Sequence, residues 1–170
     1  GYLEKKSNNN LYDKTANAGE HNYTKYAADL GIQNGNYWCA AFVCWCLYQA
    51  ANRNKETLTK LLYGNMSAAC ETLRQQLRAA GRYSTATPEP GDLIFFWTKE
   101  QGKANHIGIV IGADTTNVYT IEGNTSNKAE VVPNGGCVAQ KSYALTSNKI
   151  LGYGRPNYDG VSNFAGVTAI

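Results

Sequence analysis

The apolar residues of this chain change their spacing once, at the turn-rich segment TPEPGD, residues 87–92. Before this segment they recur with the period of a helix face, and after it they form short runs bounded by turn residues, as strands do. The pattern predicts helices over 22–31, 36–51, 55–64 and 67–81 and strands over 92–97, 106–113, 117–124, 137–144 and 150–156. Helices first and strands second are typical of an α+β fold, with N-terminal helices packed on a C-terminal antiparallel sheet.

The length of 170 residues suggests one domain with a sizeable core. Residues 1–21 are polar and lack a clear period, so they are predicted to form an irregular lead-in to a domain over 22–157. Residues 158–170, rich in Gly, Ser and Asn, are predicted to be a tail or the start of a linker. No signal peptide opens the chain. Because the sequence begins abruptly at Gly1, we expect a piece excised from a longer protein.

The charge and hydropathy of the chain exclude some partners. The net charge is +3 and the pI is about 8.5, without a run of Lys or Arg, so specific nucleic-acid binding is not expected. A weak attraction to anionic polymers such as the bacterial cell wall is compatible with this charge. No stretch of 18 apolar residues occurs, so we expect no membrane span.

Five cysteines are present, an odd number that cannot complete a disulfide framework. Positions two apart on a helix point nearly opposite ways, so Cys44 and Cys46 cannot bind one metal ion or form a disulfide while their helix is intact. We therefore predict no metal site. Cys44, Cys46 and Cys70 are interpreted as small apolar core side chains, and Cys137, which follows a PNGG turn, as structural.

Cys39 differs from the other cysteines in its position relative to a helix start. Asn22 and Asn36 are the predicted N-caps of the first two helices, and Gly31 is the predicted end of the first. Cys39 then lies in the first turn of the second helix, where unpaired backbone N–H groups and the helix dipole stabilise a thiolate. A cysteine nucleophile also needs a base.

The chain has two histidines, and only one lies in a setting that favours catalysis. His21, in the polar segment GEHNY, is predicted to be solvated or to cap a helix. His106 opens the predicted strand HIGIVIGA, where alternation places Gly108 on the same face and leaves open space beside the imidazole. The opposite, core-facing positions are three isoleucines: Ile107, Ile109 and Ile111.

The following strand supplies a partner for the imidazole of His106. A hairpin that turns at residues 113–115 would pair Val110 with Val118 and His106 with Glu122. Glu122 or Asn124 could then accept a hydrogen bond from the ring, fix its tautomer and stabilise an imidazolium. The alternative is that Glu122 is simply a solvated residue on an exposed strand face.

The segments YWCAAFVCW, NHIGIV and IEGNTS, around Cys39, His106 and Glu122, resemble those of CHAP domains. These are cysteine, histidine-dependent amidohydrolases/peptidases related to the NlpC/P60 and papain-like folds. PGDLIFFW and ILGYGRPNY also match the usual framework of the family, and the resemblance covers roughly residues 22–157.

This resemblance implies peptidoglycan cleavage of the kind performed by phage endolysins or bacterial autolysins. It implies Cys39 as nucleophile, His106 as base, Glu122 as the residue that orients the histidine, and Asn124 as an accessory polar group. Glu122 stands where the NlpC/P60 branch usually carries a second histidine, which favours the CHAP branch. Some phage members bind calcium through closely spaced aspartates before the cysteine; because the aspartates here are isolated, we expect no cofactor.

Four residues are candidates for substrate binding. Asn36 and Tyr37 precede the nucleophile and are predicted to line the cleft, and Trp38 and Trp97 are candidates for stacking on sugar or peptide, although core positions are an alternative for both. The scissile bond is either the MurNAc–L-Ala amide or a peptide bond in the stem or cross-bridge.

Other function classes and the location of the protein stay open at this point. A catalytically silent cell-wall-binding module, a thiol acyltransferase on the same scaffold and an intracellular deconjugating protease are the rival classes. We expect a secreted or cell-wall location, or a cytoplasmic one before release for an endolysin, and a separate wall-binding domain beyond the C-terminus is compatible with the sequence.

Overall fold

The computed structural model describes residues 1–161 and confirms the α+β class, with helices followed by an antiparallel sheet. Within these residues the helices are α1 (Lys25–Leu30), α2 (Cys39–Ala50), α3 (Lys55–Leu62) and α4 (Cys70–Ala79). The strands are β1 (Tyr83–Ser84), β2 (Leu93–Phe96), β3 (His106–Ala113), β4 (Asn117–Thr125), β5 (Cys137–Ala144) and β6 (Ile150–Gly154). The predicted tail at 158–170 lies outside the described residues from position 162 onward. No helix in the described part of the chain is long and apolar enough to cross a membrane.

The strands form one sheet in the order β1-β6-β2-β3-β4-β5, with antiparallel neighbours. The helices cover one face and enclose the larger apolar core, which includes Phe42, Leu73 and Phe95. A smaller apolar cluster on the other face includes Phe96 and Tyr143. Strand β1 was not predicted, because two residues are too few to show a period-two pattern.

The predicted N-caps of the first two helices are wrong. Helix α1 begins after Thr24, whose side chain accepts a hydrogen bond from the backbone N–H of Ala27 (3.3 Å), and Asn22 lies outside the helix with a φ of 59°. Helix α2 begins after Trp38 rather than Asn36, and Trp38 makes no side-chain capping bond. Cys39 is therefore the first residue of α2.

The register of the β3–β4 hairpin also differs from the prediction. Val110 pairs with Thr120 rather than with Val118, and the register shifts between Val110 and Gly112. This β-bulge places two residues of β3 opposite one residue of β4, which a simple alternation of side chains cannot anticipate. As a result Ile111, predicted to face the core, is 46% exposed.

The N-terminal residues pack directly beside the start of α2. Leu3 forms an isolated bridge with Cys137, and Lys5 forms bridges with Ala18 and Tyr23. The buried carboxylate of Glu4 accepts a hydrogen bond from Trp38 Nε1 at 2.9 Å. The position of the residue that precedes Cys39 is thus tied to the first five residues of the chain.

We predict that Glu4→Ala lowers the free energy of unfolding by about 1.5–3 kcal/mol, because it removes a hydrogen bond to a charged group and leaves the buried indole N–H without an acceptor. Urea denaturation followed by tryptophan fluorescence measures this loss. The matched control is Glu20→Ala, which removes an exposed carboxylate from the same segment. Equal stability of the two variants would contradict the prediction.

Candidate active site

Cys39 is held at the first position of α2, at the border of the larger apolar core. Its side chain is 2% exposed, and it packs with the apolar residues between the helices and the sheet. The first N–H groups of a helix have no intrahelical partner, and the backbone N–H of Ala40 interacts with the Cys39 sulfur. The sulfur therefore lies at the positive end of the α2 dipole.

His106 and Glu122 form a buried pair on the neighbouring strands. His106 Nε2 lies 2.8 Å from Glu122 Oε2, and both side chains are fully buried. Glu122 also accepts hydrogen bonds from the hydroxyl of Thr120 (2.6 Å, to Oε1) and from that of Tyr143 (3.2 Å, to Oε2). Thr120 and Tyr143 were missed from the sequence, although Thr120 shares a strand face with Glu122.

Gly108 makes room for the Glu122 side chain. A Cβ added to Gly108 would lie 2.7 Å from Glu122 Cγ, so any other residue would displace the carboxylate. The open space predicted beside the imidazole, which we expected a helix end or a substrate to enter, is therefore filled by Glu122. With the observed register Glu122 stands opposite Gly108 and reaches His106 diagonally, not directly across the strands as predicted.

Cys70 lies against Cys39, although it was interpreted as no more than a core side chain. The two Sγ atoms are 3.5 Å apart, both residues are buried, and each is the first residue of a helix. The sequence carried one usable signal, a cysteine close to a predicted helix start. The predicted start of α4 at residue 67 placed Cys70 inside the helix and obscured that signal.

The ionisation of Cys39 and His106 is shifted toward a charged pair. The pKa of Cys39 lies well below its ordinary value, because hydrogen bonding with Cys70, then with His106, and the charge of the imidazole outweigh burial. Burial alone would lower the pKa of His106, but Cys39 and Glu122 raise it to about 9. Since Nε2 is engaged by Glu122, Nδ1 is the ring nitrogen left to interact with Cys39.

The pKa of Glu122 is lowered in turn. Burial opposes its ionisation, but the hydrogen bond and the positive charge of His106, the hydroxyl of Thr120 and the charge of Lys141 outweigh it. Cys39 and His106 thus influence each other's pKa, and Glu122 bonds to the same imidazole, so the three buried side chains have the relations expected of a cysteine nucleophile, a base and the group that orients the base.

The remaining cysteines lie in surroundings that keep them protonated. Burial raises the pKa of Cys44 to about 11 and that of Cys46 to about 12. Cys137 donates to the carbonyl oxygen of Thr125 (3.0 Å), and burial raises its pKa as well. None of the five cysteines forms a disulfide within residues 1–161.

Asn124 is buried, but its observed contacts are to the turn before β5. Its side-chain oxygen accepts from the backbone N–H of Gly136 (3.4 Å), and its φ of 54° lies in the left-handed region. Nδ2 is buried without an acceptor among residues 1–161. Of the two residues predicted to support the imidazole, Glu122 is the one that contacts it.

The predicted substrate residues separate into exposed and buried positions. Asn36 is exposed, and Tyr37 is 46% exposed with Lys99 Nζ 5.5 Å from its ring centroid. Trp38 is 1% exposed and stacks on Tyr26 at 5.5 Å, so the prediction that it stacks on a substrate is corrected to a core role.

Trp97 is half-buried and held by the connection between β5 and β6. Its Nε1 donates to the carbonyl oxygen of Asn148 (2.6 Å), and Lys149 Nζ lies 3.7 Å from its ring centroid. Neither contact involves Cys39. Stacking on substrate therefore stays a prediction for Trp97.

His21 and Asp29, which precede Cys39 in the chain, bond to other groups near the surface. His21 Nδ1 lies 2.9 Å from the carbonyl oxygen of Lys6 on the exposed surface. Asp29 accepts hydrogen bonds from Trp45 Nε1 and the hydroxyl of Tyr12. Among residues 1–161 no group of three or more His, Cys, Asp or Glu side chains is placed to hold a metal ion.

Comparison with known proteins identifies one family. The model of the CHAP domain matches residues 31–124, more than half of the chain. No curated protein sequence matches significantly. A solved structure titled "The crystal structure of Ly7917" is similar with a TM-score of 0.49 and 15% identity, over 71% of this chain and 53% of that chain. The present chain therefore spans about half the length of that structure.

We predict that Glu122→Gln lowers the pKa of His106 from about 9 by about one unit or more, because the neutral amide no longer stabilises the imidazolium. The wild-type ring should keep its proton at neutral pH and lose it only as the pH rises through 9. Nitrogen-detected NMR of the His106 imidazole measures the titration in the wild type and in the variant.

The matched control for this variant is Glu56→Gln, which removes a carboxylate of 79% side-chain exposure on α3. His106 in this control should titrate as in the wild type. A His106 titration that is the same in Glu122→Gln and Glu56→Gln would show that the carboxylate does not support the ring.

Proposed function

The chain belongs to the CHAP domain family, as its motifs predicted, and from that premise we propose that it hydrolyses an amide bond at or within the stem peptide of peptidoglycan. CHAP domains are in general cysteine, histidine-dependent amidohydrolases or peptidases. The observation that carries the proposal is the buried group of Cys39, His106 and Glu122, in which His106 bonds to Glu122 and contributes to the lowered pKa of Cys39.

In the first step the Cys39 thiolate attacks the amide carbonyl, and a C–S bond forms as the carbonyl π electrons move to oxygen. The backbone N–H of Cys39, at the unpaired end of α2, is positioned by the helix to donate to that oxyanion. His106 then gives its proton to the amide nitrogen, and the C–N bond breaks to leave a thioester and a free amine.

In the second step water hydrolyses the thioester. His106, now neutral, takes a proton from the attacking water, and the second tetrahedral intermediate expels the Cys39 thiolate. The products are a carboxylic acid and the regenerated thiolate–imidazolium pair. Glu122 keeps Nε2 protonated throughout, so that Nδ1 is the nitrogen that carries and returns the proton.

Burial of the nucleophile sets a condition on this mechanism. Because Cys39 is only 2% exposed, a substrate carbonyl reaches Sγ only if the side chains above the sulfur move aside on binding. Tyr37, which precedes α2, is exposed and has Lys99 Nζ 5.5 Å from its ring centroid. The predicted cleft role of Asn36 and Tyr37 stays part of the proposal.

The same geometry bears on the rival functions. A silent wall-binding module would need no cysteine of lowered pKa beside an oriented imidazole, so the site favours an enzyme. A thiol acyltransferase would form the same thioester and differ only in the acceptor, an amine instead of water.

We propose a wall-facing location for the enzyme, as a secreted autolysin or an endolysin released from the cytoplasm, and the net charge of +3 is compatible with an anionic wall.

We predict that the purified protein releases new termini from isolated sacculi, and that Cys39→Ala lowers this turnover by at least about a thousandfold, because no other group supplies the nucleophile. Mass spectrometry of the released muropeptides measures the products. A free L-Ala amino terminus identifies an amidase, and a new terminus within the stem or bridge identifies an endopeptidase.

The control variants are Cys44→Ala and Cys46→Ala, which remove protonated thiols from the same helix. Both should keep turnover. Loss of turnover in Cys44→Ala with retention in Cys39→Ala would reverse the assignment of the nucleophile. Muropeptides carrying an added amine in place of water would identify the acyltransferase, and unchanged sacculi with the wild type would contradict the proposed hydrolysis.

A further inference from the structure

Cys70 carries a thiol directly beside the Cys39 sulfur that the proposed mechanism does not use. Its Sγ lies 3.5 Å from Cys39 Sγ, within hydrogen-bonding distance for sulfur, and both side chains are buried. Cys70 is the first residue of α4, whereas Cys39 is the first residue of α2. Packing of the helices thus brings two helix starts, each with a thiol, to one point.

We propose that Cys70 is a positioning residue, whose thiol donates a hydrogen bond to the Cys39 thiolate and holds that sulfur in place in the resting enzyme. This inference rests on the proposed function, because it takes Cys39 to be the nucleophile. A thiol is a weak donor, but it is fixed here by the start of a helix, and a bond to an ionised acceptor is stronger than one to a neutral acceptor.

The direction of this hydrogen bond follows from what surrounds each sulfur. His106 interacts with Cys39 and stabilises its negative charge, and the N–H of Ala40 does so as well. The pKa of Cys70 is raised, because its proton is held by the bond to Cys39, because the site is buried and because a second negative charge would be repelled. The proton therefore resides on Cys70 and the charge on Cys39.

The titratable groups that face Cys39 come from each element packed around it. Cys44 lies on its own helix, Cys70 on α4 and His106 on β3, and Glu122 on β4 stands behind the imidazole. Cys44 and Cys70 both stay protonated near neutral pH because their pKa values are raised. The acid side of a Cys39 reactivity profile thus reports the formation of the thiolate.

The proposed bond does not consume a proton during turnover. When Cys39 attacks a carbonyl, its charge is lost and the bond from Cys70 weakens; when the thioester is hydrolysed, the departing thiolate regains the same donor. Cys70 thereby stabilises the leaving group of the second step. No oxidation is involved, and a reductant in the assay keeps the adjacent sulfurs as thiols.

The experiment is the pH dependence of Cys39 alkylation by iodoacetamide, with a phosphine reductant present until the reagent is added. Peptide mapping by mass spectrometry follows Cys39 separately from the other thiols. Cys70→Ala introduces a side chain smaller than cysteine and Cys70→Val a larger one, and neither can donate a hydrogen bond to Cys39. Cys70→Ser keeps a hydrogen-bond donor at this position. Cys44→Ala is the matched control, because it removes a buried thiol from the same core without changing the pair.

We expect the half-maximal rate in Cys70→Ala and Cys70→Val to move to higher pH by about one unit, equivalent to a tenfold loss of thiolate at a fixed pH on the acid side. Cys70→Ser should react with a midpoint at or below that of the wild type, and Cys44→Ala should match the wild type. An unchanged midpoint in the alanine and valine variants would overturn the proposal.

Thermal unfolding of each variant shows whether it is folded before its profile is used. If neither Cys70→Ala nor Cys70→Val folds, the alkylation profile of Cys70→Ser decides the question. A midpoint pH above that of the wild type overturns the proposal, and a midpoint pH at or below that of the wild type supports it. Alkylation needs no substrate. Failure of the wild type to cleave sacculi would therefore contradict the proposed function and still leave the role of Cys70 measurable.

Discussion

The buried contact between His106 Nε2 and Glu122 Oε2 is the interaction on which the site depends. Removing an isolated ion from water costs several kcal/mol, so a fully buried carboxylate is stable only when its oxygens have donors. Here the imidazole and the hydroxyls of Thr120 and Tyr143 supply these donors, and the nearby charge of Lys141 adds electrostatic stabilisation. Three adjacent strands, β3, β4 and β5, are thereby joined by one polar cluster, which fixes the imidazole of the proposed base.

Two glycines allow the strands and α2 to approach closely enough for this cluster to form. A side chain at Gly108 would collide with Glu122. A side chain at Gly123 would collide with Phe42 in α2 and with Trp38, the residue before α2. Gly123 therefore lets the backbone of β4 lie against the start of α2, while its neighbour Glu122 points to the opposite face. The approach of β4 to the start of α2 is thus set by backbone packing at Gly123.

Features of this fold that depend on neighbouring residues could be predicted, and those that depend on tertiary packing could not. The bounds of β3 and β5, and Cys39 in the first turn of a helix, follow from local period and turn residues. The bulge before Gly112 could not be predicted, because the alternation of apolar and polar residues in β3 is the same with or without it. The contact between His106 and Glu122 was nevertheless predicted correctly, because a glutamate side chain is long enough to reach a residue two positions away from the one it pairs with. The approach of Cys70 to Cys39 arises from the packing of α4, 31 residues away.

The start of α2 shows why an uncapped helix suits a nucleophile. A capping side chain would occupy backbone N–H groups of the first turn and stabilise the helix by about 1 kcal/mol. Trp38 forms no such bond, so those groups stay available to the Cys39 sulfur and, in the proposed mechanism, to the oxyanion. The lost local stabilisation is replaced at a distance: Glu4 binds the Trp38 indole and Tyr26 stacks on it. Residues far from Cys39 in the sequence therefore hold the helix start in place while its N–H groups remain free for chemistry.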